Sequence, residues 1–155
     1  MIESESPVVS RLRCSEIMTT SVRTAEPHAT LREVAVMMRA GDVGAVPIVD
    51  DDKLVGIVTD RDIVVRAVAE GISGDEAITQ VMTKDLFTAD PDDFAFEAIR
   101  LMGDKQVRRI PVVMGDGSLA GIIAVADVAL SMEDEEEIAA TLEEISSGAA
   151  FWGKR

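Results

Sequence analysis

Two stretches of the sequence share one pattern, and this pattern decides the fold. Residues 56–62 read Gly56-Ile57-Val58-Thr59-Asp60-Arg61-Asp62, and residues 121–127 read Gly121-Ile122-Ile123-Ala124-Val125-Ala126-Asp127. In each stretch a glycine is followed by short apolar, β-branched residues that favour a strand, and then by a pattern that indicates the start of a helix. The second stretch follows the first at a spacing of 65 residues. The sequence therefore points to a duplication.

Further blocks recur in the same order on the N-terminal side of these stretches. Residues 17–19 and 24–27 are echoed by residues 81–83 and 88–91, and the run Val-Gly-Ala-Val-Pro-Ile-Val at 43–49 is matched by Val-Arg-Arg-Ile-Pro-Val-Val at 107–113. Similar blocks in a fixed order at a nearly constant spacing are the signature of an internal repeat.

Each repeat is predicted to have the element order β-α-β-β-α. The helical patterns are Leu31, Val34, Ala35 and Met38 in the first repeat, and Ala95, Ala98, Ile99 and Met102 in the second. Apolar runs at 46–49 and 54–58, and again at 110–113 and 119–123, predict two hairpins. The predicted boundaries are residues 12–70 for repeat 1, residues 77–132 for repeat 2 and residues 133–155 for an acidic helical tail.

A single repeat of this size cannot bury both its sheet and its helices. Two repeats related by a pseudo-twofold axis can bury them together. We therefore predict one α+β module with two equivalent clefts at its seam, where ligands are expected.

The composition argues against several partners. The chain has 155 residues and a net charge of −14, with 29 acidic and 15 basic side chains. Such a surface repels nucleic-acid phosphates and anionic lipids. The absence of Tyr, with only four Phe and one Trp, leaves little to stack on bases. We expect neither nucleic acid nor a membrane as a partner.

The ends of the chain and its single cysteine indicate a compartment. No apolar run approaches the roughly 20 residues of a membrane span, and the acidic, polar first residues do not resemble a secretory signal. Cys14 has no second cysteine for an internal disulfide, which suits a reducing environment. The sequence predicts a cytoplasmic protein.

These blocks resemble the CBS-domain family. The signature is a hairpin that carries x-Pro-hydrophobic-Val, followed by Gly-h-x-(Ser/Thr)-x-x-Asp at the start of the last helix. The resemblance covers about residues 12–132 and is closest to small stand-alone bacterial CBS pairs, or Bateman modules. It implies two pseudo-symmetric CBS repeats, an adenosyl ligand such as AMP, ADP, ATP, S-adenosylmethionine or an NAD species, and a homodimer.

The resemblance also implies roles for individual residues. Asp62 and Asp127 would accept hydrogen bonds from ribose hydroxyls, Thr59 would bind the ribose or the first phosphate, and Ile57 and Ile122 would lie against adenine. The opposite repeat would complete each base pocket, with Thr20 and Val43 in the Asp127 cleft and Lys84 and Val107 in the Asp62 cleft. Arg108 and Arg109 would contact phosphate.

The two clefts are predicted to be unequal. Ala124 stands where the family pattern has Ser or Thr, and Gly44 and Ala45 occupy the positions that correspond to Arg108 and Arg109. We expect the cleft of Thr59 and Asp62 to be the better site and the cleft of Asp127 to be weak or empty.

Structural roles could also explain these residues. Thr59-x-x-Asp62 is a capping box, worth about 1 kcal/mol without any ligand. Asp127 is less easily explained in this way, since Ala124 has no hydroxyl, although an acid in a first turn gains from the helix dipole. Arg108 and Arg109 could instead form a solvated strand edge.

No motif points to an enzyme. The sequence has no glycine-rich phosphate loop and no nucleophile elbow, and one His with one Cys cannot supply the usual zinc ligands. We expect no catalytic residue, no metal and no required cofactor. The favoured function is a sensor that binds an adenosine nucleotide and signals to a partner protein through a conformational or dimer change. The alternative is a ligand-independent scaffold dimer that uses its helices and acidic tail.

Overall fold

The computed structural model describes residues 12–131 of the chain. The predicted acidic tail, residues 133–155, lies outside the described residues.

The element order of the two repeats is confirmed. The described elements are α1 (Cys14–Ile17), α2 (Leu31–Gly41), β1 (Ala45–Asp50), β2 (Lys53–Thr59), α3 (Asp60–Asp62, continued by a π-helix over Ile63–Val68), a 3₁₀ turn (Ile78–Gln80), α4 (Ala95–Lys105), β3 (Arg109–Val113), β4 (Leu119–Ala124) and α5 (Val125–Ser131). The first strand expected in each repeat is reduced to a single parallel bridge, Ala25 to Ile48 and Ala89 to Val112.

Both predicted hairpins form. Strands β1 and β2 pair antiparallel from Ala45 with Thr59 to Asp50 with Lys53, and β3 pairs with β4. Asp51 and Asp52 have φ angles of 50° and 63°, and positive φ at both central residues is typical of a tight two-residue turn that matches the twist of the strands.

The chain folds as two compact units that do not coincide with the sequence repeats. One contains residues 21–86 and 116–119, and we call it the Asp62 unit. The other contains residues 12–20, 87–115 and 120–131 of the described chain, and we call it the Asp127 unit. Each unit thus includes the first residues of the other sequence repeat: residues 12–20 lie in the Asp127 unit, and residues 77–86 lie in the Asp62 unit.

Backbone bridges attach these exchanged segments. In the Asp62 unit, the amide of Ile78 donates to the carbonyl of Ala29 over 2.8 Å, and Thr83 pairs with Ile57 through two hydrogen bonds of 2.8 and 3.0 Å. In the Asp127 unit, Thr19 pairs with Ile122 over 2.8 and 3.0 Å. The segments are therefore held by long-range sheet pairing, not by their neighbours in sequence.

Helices α2 and α4 bury the faces that carry their apolar residues. Helix α4 buries all four predicted positions, whereas α2 buries Leu31, Val34 and Met38 and exposes Ala35. The prediction that Ala35 belongs to the buried stripe is therefore wrong. The stripe of α2 is narrower because positions 31, 34 and 38 already cover the face turned towards the sheet.

Helix α2 begins at a complete capping box. The Thr30 hydroxyl accepts from the amide of Glu33 over 3.1 Å, and the Thr30 amide donates to Oε1 of Glu33 over 2.8 Å. These two bonds to Thr30 lower the pKa of the Glu33 carboxyl.

The glycine of each repeated stretch lies where two backbones meet. A Cβ on Gly121 would stand 2.6 Å from the carbonyl oxygen of Thr19, and one on Gly56 would stand 2.7 Å from Sδ of Met82 and 3.1 Å from the carbonyl oxygen of Thr83. A side chain at Gly121 must push the backbone of residue 19 away from β4.

We predict that Gly121→Ala lowers the free energy of unfolding by about 1–3 kcal/mol, because overpacking at a rigid backbone contact forces a shift. Chemical denaturation measures the change. Gly115→Ala is the matched control, since no atom lies within 4 Å of its added Cβ. Equal stabilities for the two variants would contradict the contact.

Cys14 lies in the core of the Asp127 unit and is fully buried. The pKa of its thiol is raised from 9.0 to about 11, first because burial disfavours the thiolate. The nearby carboxylates of Asp93, Glu97 and Asp90 raise it further by repulsion. The thiol therefore stays protonated in the folded protein well above neutral pH.

This shift predicts a loss of stability in alkali. The unfolded chain releases the Cys14 proton near its ordinary pKa, whereas the folded chain holds it, so the contribution is complete below about pH 9 and is lost as the pH rises through about 11. We expect the unfolding free energy of the wild type to fall more steeply over this window than that of Cys14→Ala. Parallel curves would contradict the shift.

Candidate functional site

The repeated motif in the Asp62 unit forms the predicted capping box. Thr59 ends β2 in an extended conformation, and its hydroxyl accepts from the amide of Asp62 over 3.1 Å. The amide of Thr59 in turn donates to Oδ2 of Asp62 over 2.9 Å. One carboxylate oxygen of Asp62 is thus used by the start of the helix.

The other oxygen of Asp62 faces Arg66. Oδ1 lies 3.8 Å from Nε of Arg66, which is beyond hydrogen-bond range. The side chain of Asp62 is 17% exposed, and that of Arg66 is 51% exposed. Nη1 of Arg66 donates to the carbonyl of Val81 over 3.3 Å. The carboxylate of Asp62 therefore stands between the start of a helix and a guanidinium group that is hydrogen-bonded to the Val81 carbonyl.

The bridge between Ile57 and Thr83 brings a basic residue into the same unit. Ile57 is half-buried on β2, and Lys84 follows Thr83 directly and is exposed. Lys84 belongs to the second sequence repeat, and its role beside Ile57 and Asp62 stays a prediction.

Val43 lies in the Asp62 unit as well. Its amide donates to the carbonyl of Met38 over 3.0 Å, and the carbonyl of the following Gly44 accepts from the amide of Asp60 over 3.0 Å. Val43 therefore precedes the hairpin strand that pairs with the Thr59 end of β2. Its assignment to the Asp127 cleft stays a prediction.

The motif in the Asp127 unit keeps half of the capping box. The amide of Ala124 donates to Oδ2 of Asp127 over 3.1 Å, the counterpart of the bond from Thr59 to Asp62. Ala124 has no hydroxyl to complete the box, but its backbone amide gives Asp127 a capping bond that the sequence did not indicate. The bridge from Thr19 to Ile122 places the exposed Thr20 in the same unit.

The remaining predicted residues also fall in the Asp127 unit. The amide of Val107 donates to the carbonyl of Met102 over 3.0 Å, and the carbonyl of Arg108 accepts from the amide of Val125 over 2.9 Å. Arg109 begins β3 and is half-buried. Their contribution to the Asp62 site stays a prediction.

The structure thus sorts the predicted residues into two sets. The Asp62 unit holds Val43, Ile57, Thr59, Asp62 and Lys84, and the Asp127 unit holds Thr20, Val107, Arg108, Arg109, Ile122 and Asp127. Sequence reasoning missed Arg66, although its position four residues after Asp62 on a predicted helix is the spacing of side chains that can pair.

The unequal capping boxes predict a stabilising substitution. We expect Ala124→Thr to raise the free energy of unfolding by about 0.5–1 kcal/mol, because a hydroxyl there can accept from the amide of Asp127. Thermal or denaturant unfolding measures the gain. Thr59→Ala should lose a similar amount and Thr59→Ser should lose little. A destabilised Ala124→Thr would refute this account.

Both repeats of the chain match known proteins. The CBS-domain family profile matches residues 14–68 and 78–134. CBS domain-containing protein YhcV of Bacillus subtilis is 37% identical over 131 residues, which are 84% of this chain and 93% of YhcV. Hypoxic response protein 1 of Mycobacterium tuberculosis is 38% identical over 116 residues, which are 74% of this chain and 80% of that protein. YhcV therefore has little room for a further domain.

Two solved structures are similar to this one. The crystal structure of Hypoxic Response Protein I with two coordinated zinc ions has a TM-score of 0.71 and 34% identity, and the match covers 77% of this chain and 98% of the other. The CBS domain pair of protein MJ0100, in complex with 5′-methylthioadenosine and S-adenosyl-L-methionine, has a TM-score of 0.69 and 27% identity, with coverage of 76% and 93%.

No helix within residues 12–131 is long and apolar enough to cross a bilayer.

The repeats, the paired hairpins and the profile match agree, and the chain belongs to the CBS-domain family, with two CBS domains in the α+β arrangement of a Bateman module.

Proposed function

We propose that this chain is a regulatory module that binds an adenosine nucleotide at Asp62 and signals the binding to a partner protein through a conformational or dimer change. The observation that carries the proposal is how the two oxygens of the Asp62 carboxylate are contacted. One oxygen accepts from the amide of Thr59, and the other is 3.8 Å from the guanidinium of Arg66.

This carboxylate suits a ribose. An ionised carboxylate only accepts hydrogen bonds, and a vicinal diol offers two donors close together. The bond from the Thr59 amide fixes the carboxylate before a ligand arrives, so little side-chain freedom is lost on binding. Asp62 is the residue on which we expect the affinity to depend most.

The neighbours of Asp62 supply the other parts of a nucleotide site. Ile57 offers an apolar side chain for adenine. Lys84 directly follows Thr83, the bridge partner of Ile57, and offers a positive charge for phosphate. In a chain with a net charge of −14, local positive charge is needed to hold an anionic ligand. The adenosyl ligands in the MJ0100 structure support an adenosine-containing ligand here.

We propose that Asp127 marks a weaker site. Ala124 offers no hydroxyl to a ligand, whereas Thr59 does so in the other motif. Arg108 and Arg109 lie in the Asp127 unit and could offset part of this loss by contacting phosphate.

A second candidate function is a ligand-independent scaffold that dimerises through its helices. The capping bonds of Asp62 and Asp127 favour it, because they explain both carboxylates without a ligand. Val64, Val65 and Val68 are 59%, 49% and 69% exposed on the π-helical turn, and a second copy could cover them. The two functions differ in whether nucleotides stabilise the protein.

A ligand panel tests the proposal. The wild type, Asp62→Ala and Asp127→Ala are heated with AMP, ADP, ATP, S-adenosylmethionine or NADH, and each variant is compared with its own unliganded Tm. A ligand at 100 times its Kd stabilises the fold by about 2.7 kcal/mol, a rise in Tm of about 5–10 °C for a chain of this size. We expect this rise with an adenosine nucleotide in the wild type and in Asp127→Ala, and its loss in Asp62→Ala.

The matched control is Asp75→Ala, since Asp75 is an exposed carboxylate of the same unit that contacts Arg32 and not the Thr59 motif. It should keep the full ligand-induced rise. If no adenosine compound raises the Tm of the wild type, the sensor is refuted and the scaffold is favoured. A rise retained in Asp62→Ala but lost in Asp127→Ala would reverse the order of the two sites.

A further inference from the structure

We infer that Arg66 is a positioning residue that orients the Asp62 carboxylate for ribose binding, an inference that rests on the proposed function. Arg66 lies in the π-helical turn Ile63–Val68 that continues the helix begun at the Thr59 motif. Its side chain makes two polar contacts within residues 12–131: Nη1 donates to the carbonyl of Val81 over 3.3 Å, and Nε lies 3.8 Å from Oδ1 of Asp62.

The first contact fixes the guanidinium group. Val81 is fully buried in the core of the Asp62 unit, and Thr83 two residues later is bridged to Ile57. The carbonyl that accepts from Arg66 is therefore part of a rigid segment. An exposed arginine loses rotamer freedom when it pairs with another group. The bond to the Val81 carbonyl already restrains the Arg66 side chain, and it does so without a second carboxylate beside Asp62.

The second contact acts on Asp62 without saturating it. A charge-assisted N–H···O bond has a donor–acceptor distance of about 2.7–2.9 Å, so at 3.8 Å the guanidinium attracts Oδ1 without forming a hydrogen bond to it. Oδ2 is held from the other side by the Thr59 amide. The carboxylate is thus restrained at both oxygens, and Oδ1 can accept a hydrogen bond from a ligand hydroxyl.

The second motif differs at this position. Residue 131, which corresponds to Arg66, is a serine. A positioning role for Arg66 therefore adds a second physical reason, beside Thr59, for a stronger site at Asp62 than at Asp127.

A simpler role for Arg66 is a surface ion pair that stabilises its helix. An i,i+4 pair of this kind contributes about 0.3–0.5 kcal/mol to folding and has no effect on ligand choice. The two roles differ in whether the effect of Arg66 depends on the ribose hydroxyls of the ligand.

The experiment measures the Kd of AMP and of 2′,3′-dideoxy-AMP, and of ATP and 2′,3′-dideoxy-ATP, by calorimetry. The proteins are the wild type, Arg66→Ala, Arg66→Lys and the control Arg32→Ala. Arg32 is a partly exposed arginine of the same unit that contacts Asp75 and not Asp62. Denaturant unfolding of each variant confirms that it is folded.

We expect Arg66→Ala to weaken binding of the ribonucleotide about fivefold, the scale of one ordinary hydrogen bond. The affinity for the dideoxy form should change less than about twofold, since this ligand has no ribose hydroxyl to donate a hydrogen bond to Asp62. Arg66→Lys should restore part of the ribonucleotide affinity because it retains the positive charge, and Arg32→Ala should behave as the wild type.

Three outcomes would overturn the inference alone. In the first, Arg66→Ala binds the ribonucleotide as tightly as the wild type does. In the second, Arg66→Ala loses as much affinity for the dideoxy form as for the ribonucleotide. In the third, Arg32→Ala loses as much ribonucleotide affinity as Arg66→Ala. A wild type that binds neither ribonucleotide refutes the proposed function itself, and the inference with it. A wild type that binds the ribo and dideoxy forms equally refutes ribose recognition by Asp62.

Discussion

The paired backbones of Ile57 with Thr83, and of Ile122 with Thr19, are the contacts on which both units depend. Each pair forms two hydrogen bonds between a hairpin strand and a segment distant in sequence. The strand must approach this segment closely, and the glycine just before each isoleucine removes the Cβ that would block the approach. Without this pairing, neither Lys84 nor Thr20 would be held in the unit of its candidate carboxylate.

From this common framework the two motifs differ in their polar groups. In the Asp62 unit both halves of the capping box form, and Arg66 faces the remaining oxygen. In the Asp127 unit the backbone half is retained, while Ala124 provides no hydroxyl. Duplication has thus preserved the bond that starts the helix in both copies, whereas the groups that could bind a ligand have diverged.

Much of the fold could be predicted from the sequence because it depends on local patterns. The apolar spacing of α4, the double-aspartate turn and the capping box of Thr59 are all set by neighbouring residues. The exchange of segments could not be read from local pattern, because it depends on pairing between residues far apart in the chain. The capping bond of Asp127 could not be predicted from side-chain types, because its donor is the backbone amide of Ala124.

The capping role of Asp62 is compatible with the ligand-binding role proposed for it. If a ligand competed for Oδ2, binding would break the bond to the Thr59 amide and destabilise the start of the helix. Oδ1 carries no such bond within the motif, so a ribose hydroxyl can be accepted there while the capping box remains intact. The box also reduces the motion of the carboxylate, and a carboxylate that is already oriented binds a diol with a smaller loss of entropy. The capping box therefore does not block a ligand at Asp62, because it holds Oδ2 and leaves Oδ1 in position to accept a hydrogen bond.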